Sequence, residues 1–325
     1  MTQPVPDVSG LSVRACRRLG GVSRVIVVGA GVVGLSCAVR LLEDGHRVDV
    51  VARDLPLETT SSVAAAIWYP YDALPQDRVT AWAAASYEVL AALAAAVPRS
   101  GVRMVPGTEV LRDRRPDPWW SSAVPGLHAA TDLPAGYSAG WSFVTPVAEM
   151  PVYLTWLAGR VEELGGTITR LNLSALPEGG DLVVNCSGLG ARLLGADRTV
   201  RPVAGQVVRV AQLGLFRWWL DGTGPTYVVP RERDIVVGGT ATEGEWSRTP
   251  SPDTAAAILQ RATLLVPDLH DAVVLQHKVG LRPARPTVRL EREGRVVHCY
   301  GHGGAGVTLS WGCADEVAAL VSGNV

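Results

Sequence analysis

Lysine is almost missing from this chain. Lys278 is the only one in 325 residues, against 29 arginines and 31 acidic residues, and the formal net charge is −1. A chain so balanced carries no basic field that would draw nucleic acid or an anionic membrane as its main partner. The arginine excess reads as coding bias and does not by itself establish thermostability. Cysteine is also sparse: Cys16, Cys37, Cys186, Cys299 and Cys313 are scattered, with no CxxC pair and no His/Cys cluster at zinc-ligand spacing. That excludes a disulfide framework and leaves no metal signature. Cys37 on a helix and Cys186 and Cys299 at strand ends read as small buried apolar residues. No apolar run reaches membrane-spanning length, and residues 1–23 lack the apolar core of a secretion signal. Those residues mix Pro, Gly and Arg and are expected to form a disordered extension. A reduced, cytoplasmic setting is the expectation. No internal repeat or low-complexity tract is evident.

What the chain does have is an organising stretch. Arg24 to Val28 is a β-branched run, Gly29-Ala30-Gly31-Val32-Val33-Gly34 follows, and an apolar helical period continues to Gly45. In strand–turn–helix context the three glycines serve different ends. Gly29 makes the turn, Gly31 lets a pyrophosphate approach the backbone, and Gly34 packs helix on strand. The helix N-terminus then faces an anion. A second strand, Arg47 to Ala52, ends at Arg53-Asp54. Arg53 would suit a 2′-phosphate, as in NADP, and Asp54 would suit ribose hydroxyls, so the tip leaves the dinucleotide open.

With 47% hydrophobic residues, the chain is long enough for a large core and two joined domains. Past Asp54, Thr59-Thr60-Ser61-Ser62 leads into Val63 to Tyr71; hydroxyls followed by small residues suit either a phosphate-lining loop or a helix cap. Val79 to Val97 is an alanine-rich helix stopped by Pro98, and residues 101–140 read as loop-rich, with Trp119 and Trp120 packing on the surface. Met150 to Leu164 is a helix closed by Gly165-Gly166. Thr167 to Arg170 and Asp181 to Asn185 read as further parallel strands, the second ending in Cys186-Ser187-Gly188. Arg201 to Val210, Thr226 to Val229, Asp234 to Gly239 and Val273 to Arg282 are strand-like and imply an antiparallel sheet as a second domain. Arg295 to Tyr300 returns as a strand to Gly301-His302-Gly303-Gly304-Ala305-Gly306, which opens a closing helix.

Several separated segments together carry a family resemblance. They are Val28 to Ser36, Ala52 to Pro56, Val63 to Trp68, Asn185 to Gly188, Thr226 to Pro230, Val279 to Pro283 and Val297 to Gly306. In these the chain resembles the flavin-dependent D-amino acid oxidases, from Arg24 to the last helix. The resemblance implies an α/β fold: an FAD-binding Rossmann-like domain of the glutathione-reductase-like group (24–72, 146–200 and 284–325) with an antiparallel-sheet substrate domain (73–145 and 201–283). FAD would be held non-covalently, since no His or Cys sits in a flavin-attachment context. Its cradle would be Gly29, Ala30, Gly31, Val32, Val33, Gly34, Arg53, Asp54, Thr59, Thr60, Ser61, Ala66, Ile67, Ser187, Gly188, Arg282, Gly303, Gly304, Gly306, Val307 and Thr308. The chain departs from the family at Cys299, where Asn, His or Ala is usual. It departs again at Thr223, which matches a second active-site tyrosine of the mammalian members, in a shorter loop. Thr223 is therefore given no catalytic role, and a shorter lid is implied.

The chemistry of the residues agrees with what the resemblance implies. A guanidinium supplies the planar fork for an amino acid carboxylate, and Arg282, in Gly-Leu-Arg-Pro between strand and loop, is the candidate. Tyr227 would donate its phenol to the same carboxylate. Backbone N–H groups at Gly303, Gly304 and the last helix would lie near the flavin pyrimidine. No general base is named: the family passes the α-hydrogen as hydride to flavin N5, so the protein positions. In D-aspartate oxidases arginines occupy the positions of Leu220 and Ala241 and a histidine that of Tyr71. Arg217, three residues before Leu220, points to the other strand face. With Trp68 and Tyr69 as further apolar surface, the implied substrate is a neutral, mainly apolar D-amino acid, and the second substrate is O2. Nucleic acid and membrane are not expected partners, and a homo-oligomer is left open. Glycine or sarcosine oxidase is the near alternative, though those enzymes usually end the second strand in an acid, which Ala52 is not. A redox sensor without turnover would not need Tyr227 and Arg282. The end Ser322-Gly323-Asn324-Val325 lacks the SKL-type peroxisomal address of many eukaryotic relatives.

Overall fold

In the computed structural model, residues 21–178 and 182–323 are described. Most of the expected disordered extension (1–20, with Cys16), Asp181 and the last two residues lie outside them. In chain order the elements are β1 (Arg24–Val28), α1 (Val32–Glu43), β2 (Arg47–Ala52), α2 (Gln76–Ala96), β3 (Val102–Leu111), β4 (His128–Ala129), β5 (Ala139–Ala148), α3 (Met150–Glu163), β6 (Thr167–Arg170) and β7 (Leu182–Asn185). Then come α4 (Ala191–Leu194), β8 (Arg201–Ala211), β9 (Trp218–Asp221), β10 (Tyr227–Pro230), β11 (Asp234–Gly238), β12 (Thr242–Glu243), α5 (Pro252–Thr263), β13 (Val274–Glu293), β14 (Val296–His302) and α6 (Gly306–Ser322).

Among the described residues these strands form one continuous mixed sheet in the order β4-β5-β3-β9-β10-β11-β8-β13-β14-β7-β1-β2-β6, with β12 beside β8. The parallel end, β14-β7-β1-β2-β6, carries the glycine turn: β1 pairs in parallel with both β2 and β7. The inner strands β1 and β7 are largely buried, which is why they read as Val/Ile runs, whereas the edge strand β6 is mostly exposed. α1 packs between this sheet, α3 and α6. The other end is antiparallel except for the parallel pair β3–β9.

β13 joins the two halves. The sequence pattern ends it at Arg282, since Pro283 and Pro286 follow and proline normally terminates pairing. The strand instead runs on to Glu293, because its partner changes: it pairs with β8 from Val274 to Ala284 and with β14 from Ala284 onward, with a register shift before Arg289. Arg282 therefore sits where the halves meet.

Further expectations are corrected. Residues 101–140 contain all of β3 and the start of β5, which pair over ten residues; Pro106 and Gly107 disguise β3 as loop. Gly107 is required there, because a Cβ would lie 2.2 Å from the Trp218 ring. Trp120 is buried against Trp68, Tyr69 and Phe143 rather than packed on the surface, while Trp119 is exposed. By length and composition α2 is also apolar enough to cross a membrane, with mean hydropathy 1.4, contrary to the reading that no run reaches that length. Its buried positions Val79, Trp82, Ala83, Ser86, Tyr87, Leu90 and Leu93 recur at helical spacing and pack on α6, where Gly312 meets the Trp82 backbone.

Candidate active site

A cavity of about 640 Å³ runs from the ends of β1 and β2, past the starts of α1 and α6, to β9, β10 and β13. The three glycines of the first turn differ in what surrounds them. Gly29 has φ +117°, and a Cβ there would lie 2.4 Å from the Cys186 carbonyl oxygen. At Gly34 a Cβ would stand 2.0 Å from the Gly29 oxygen, so the helix could not reach the strand. Gly31 is extended and would meet only Ser61 Oγ, at 3.2 Å. The protein leaves room at Gly31, on the side that opens to the cavity. The α1 N-terminus has no acidic residue in its first turn and no cap from its own N-cap side chain; Ser61 Oγ accepts the Val32 N–H at 3.1 Å. Ala30, Val32 and Val33 line the cavity beside it. An anion is the ligand such an end favours.

The tip of β2 bears on the two open readings. Arg53 closes its fork on Asp54, Nε to Oδ1 at 3.1 Å and the terminal nitrogen to Oδ2 at 2.6 Å. The Arg53 guanidinium holds the Asp54 carboxyl below its usual range. A fork already filled is poorly placed for a 2′-phosphate, whereas the carboxylate keeps lone pairs for ribose hydroxyls. Of the hydroxyl loop, Thr59 donates to the Pro56 carbonyl, and Thr60 donates to the Leu281 carbonyl at 3.0 Å. The latter bond ties the cofactor loop to the residue beside Arg282. Ala66 takes a left-handed φ of 58°, a strained value for a non-glycine, and Ile67 bridges to Val147; both line the cavity.

Across the cavity lie Ser187 and Gly188, although the Ser187 hydroxyl is turned onto Asn185 Oδ1 at 2.6 Å. Gly303, Gly304, Gly306 and Val307 line it at the start of α6, a second helix N-terminus without an acid in its first turn or a side-chain cap. Thr308 is the exception among the expected cradle residues. Its hydroxyl exchanges hydrogen bonds with the Tyr69 backbone, and it does not line the cavity. Two helix N-termini without an acid in their first turn face one cavity and fit FAD: a diphosphate at α1 and, at α6, a ring that gains negative charge on reduction.

At the far end Arg282 donates to the Thr240 carbonyl at 2.9 Å. Its guanidinium lies flat on Gly205 of the neighbouring strand, where a Cβ would stand 2.3 Å from the nearest nitrogen. Burial is the main cause that raises the Tyr227 phenol above the ordinary range, and the nearby Arg282 charge opposes it. The phenol is a neutral donor. Gly238 gives the ring its place, since a Cβ there would lie 2.0 Å from it. Leu220, Ala241 and Tyr71 complete this end, and Tyr69 joins them with its phenol 2.9 Å from Glu109 Oε1. Trp68 does not contribute: it is fully buried, its indole N–H bonded to the Ala83 carbonyl, because the chain alternates inward and outward here. Arg217 bonds Thr108 and lies over Trp219, on the other face from Leu220. Thr223 turns back on Asp221, leaving Gly222 and Gly224 to line the cavity. Removing one donor by Tyr227→Phe should cost about 1–2 kcal/mol in kcat/KM for a D-amino acid; steady-state kinetics with flavin content unchanged checks it.

Sequence spacing concealed three features. Gly205 and Gly238 are needed only because a side chain from another strand lies on them; a glycine inside a strand was the available signal. The cysteines, far apart in sequence, converge. Cys37, Cys186 and Cys299 form one buried group and Cys299, His302 and Cys313 another, each with donor atoms within 4.8 Å. Burial and neighbouring thiols push these thiols up, and burial pushes the His302 imidazole down to about 4. All are neutral near pH 7, which makes the thiols that border the cavity poor nucleophiles.

A family model described as FAD dependent oxidoreductase matches residues 24–320. A D-amino-acid oxidase of Rubrobacter xylanophilus is 53% identical over 313 residues, 92% of this chain and 96% of that protein. A D-aspartate oxidase of Homo sapiens is 38% identical over 323 residues, covering 92% and 95%. Among solved structures, a glycine oxidase from Bacillus cereus superposes with a TM-score of 0.79 at 20% identity, covering 93% of this chain and 96% of that one. This last likeness shows the fold alone.

Proposed function

The chain belongs to the FAD dependent oxidoreductase family, and from that membership we propose that it oxidises neutral, mainly apolar D-amino acids to 2-oxo acids. Substrate, O2 and water become 2-oxo acid, ammonia and hydrogen peroxide. FAD, held without a covalent bond, supplies the hydride acceptor and returns the electrons to O2. The protein's own residues bind and orient. Arg282 presents a fixed fork to the carboxylate and Tyr227 adds a neutral donor, so the α-carbon is held at one end while the side chain is directed toward Leu220.

The observation that carries this reading is the Arg282–Tyr227 pair set on two glycine shelves, with Leu220 and Ala241 where a second carboxylate would need a cation. A buried unpaired charge is strongly unfavourable, and each buried methylene contributes about 0.8 kcal/mol. D-valine and D-leucine should therefore exceed D-aspartate in kcat/KM, and L-alanine should give no peroxide where D-alanine does. A peroxide-release assay across these substrates tests it. A D-aspartate value equal to or above the others would show a cation entering the pocket. The setting we propose is cytoplasmic, on the sparse and scattered cysteines, with no nucleic-acid or membrane partner, on the balanced charge.

A further inference from the structure

Outside the carboxylate clamp, one ionisable side chain at the substrate end has no evident role. Glu109 lies on β3, which pairs in parallel with β9, and β9 pairs with β10. The register sets Glu109 opposite Leu220 and Leu220 opposite Tyr227. Side chains directly opposite one another share a sheet face, so Glu109, Leu220 and Tyr227 form a ladder on the cavity side. Its ends are two strand spacings apart, roughly 10 Å. Glu109 is only 6% exposed. Oε1 accepts from Tyr69, and a Cβ on Gly222, a cavity-lining residue, would lie 2.4 Å from that oxygen. Oε2 is buried with no hydrogen-bond partner among the described residues.

A carboxyl so placed affects what the pocket accepts. On the proposed reading of this site as a D-amino acid oxidase, we infer that Glu109 is a specificity-determining residue. Its carboxylate, behind Tyr69 and Leu220, disfavours D-amino acids whose side chain carries a second negative charge and favours those whose side chain ends in a cation. The charge acts through a low-dielectric wall, where a like charge some 8–10 Å away weighs much more than in water. The groups that face it are the Tyr69 phenol, which it holds, and Arg115 in the loop after β3, whose positive charge lowers its pKa. Burial outweighs both and raises it. Asp221, the acid nearest along β9, is engaged by Thr223 and Tyr137. Arg217 is on the opposite face. The charge is thus absent in acid and appears as pH rises through the raised pKa, and selectivity against acidic substrates should rise with it.

The experiment compares shape-matched substrates on the FAD-loaded enzyme: D-glutamine with D-glutamate, and D-norleucine with D-lysine. Peroxide release gives kcat/KM from mildly acid to alkaline pH. The wild type should prefer D-glutamine to D-glutamate by a ratio that grows with pH. Glu109→Gln, which keeps the size and the acceptor for Tyr69, should lower that ratio roughly tenfold at alkaline pH and flatten its pH dependence. The D-lysine to D-norleucine ratio should fall. Tyr69→Phe keeps the carboxylate but removes the bond that favours its charged form, so the ratio's midpoint should move to higher pH. A merely structural Glu109 would scale all four substrates alike. Ratios unchanged within about twofold in Glu109→Gln, or an unmoved midpoint in Tyr69→Phe, would overturn the inference. A wild type that oxidised none of these D-amino acids would instead overturn the activity itself.

Discussion

Arg282→Ala should lower kcat/KM for D-alanine by about 3–5 kcal/mol, roughly two to three and a half powers of ten, while the protein keeps its flavin. The size follows from how the guanidinium is held. It is spread on the Gly205 backbone and fixed through one nitrogen to the Thr240 carbonyl, so little rotamer freedom is left to lose when a carboxylate docks. Tyr227 beside it is buried and neutral and cannot replace the charge. Deleting the arginine therefore leaves the substrate carboxylate desolvated with one donor. Gly205→Ala gives an independent check, because its methyl displaces the guanidinium without removing it, and it should reproduce part of the loss. Wild-type rate and affinity in Arg282→Ala would show that the substrate lies elsewhere. Flavin absorbance and the released flavin separate that result from a collapsed cofactor site.

The parts of this molecule that were legible in the sequence are those whose cause is local. Gly29 and Gly34 are needed by the turn they make, Gly31 leaves room beside it, and the β-branched runs of β1 and β7 are largely buried. Arg282 and Tyr227 were legible through resemblance, and the fold brings them together from β13 and β10 across β8 and β11. What stayed hidden depends on partners distant in the chain. β3 read as loop because Pro106 and Gly107 lower local strand propensity, while a ten-residue pairing with β5 and a Trp218 ring lying on Gly107 override it. Trp68 looked like pocket surface, yet alternation along its segment turns it inward. Glu109 carries no signal in its own neighbourhood; only the register of three strands sets it beside Leu220. The Arg53-Asp54 tip was ambiguous because two side chains of opposite charge suggest two cofactors. Their closing on each other favours the one without a 2′-phosphate.

The same local glycines should separate cofactor binding from folding. Gly34→Ala places a methyl 2.0 Å from a backbone oxygen that cannot swing aside, so α1 must move off β1. Both stability and flavin should be lost, since the displaced helix belongs to the main core as well as to the cradle. Gly31→Ala is different in kind. Its methyl meets only the Ser61 hydroxyl at 3.2 Å, a side-chain atom that can rotate, and Gly31 is in extended backbone that alanine adopts without strain. The apoprotein should therefore fold with a Tm close to that of the wild type. Its methyl nevertheless stands on the cavity side of the α1 N-terminus, where the pyrophosphate must approach the amides. Overpacking of this kind costs about 1–3 kcal/mol, which would weaken FAD roughly 10- to 100-fold. The measurement is titration of each apoprotein with FAD beside its thermal melt, with acid precipitation of the holoprotein to show that the yellow flavin leaves into the supernatant. Equal FAD affinity in Gly31→Ala and the wild type would place the diphosphate away from this turn. An equal loss of Tm in both variants would mean that Gly31 is held by the fold and not by the cofactor.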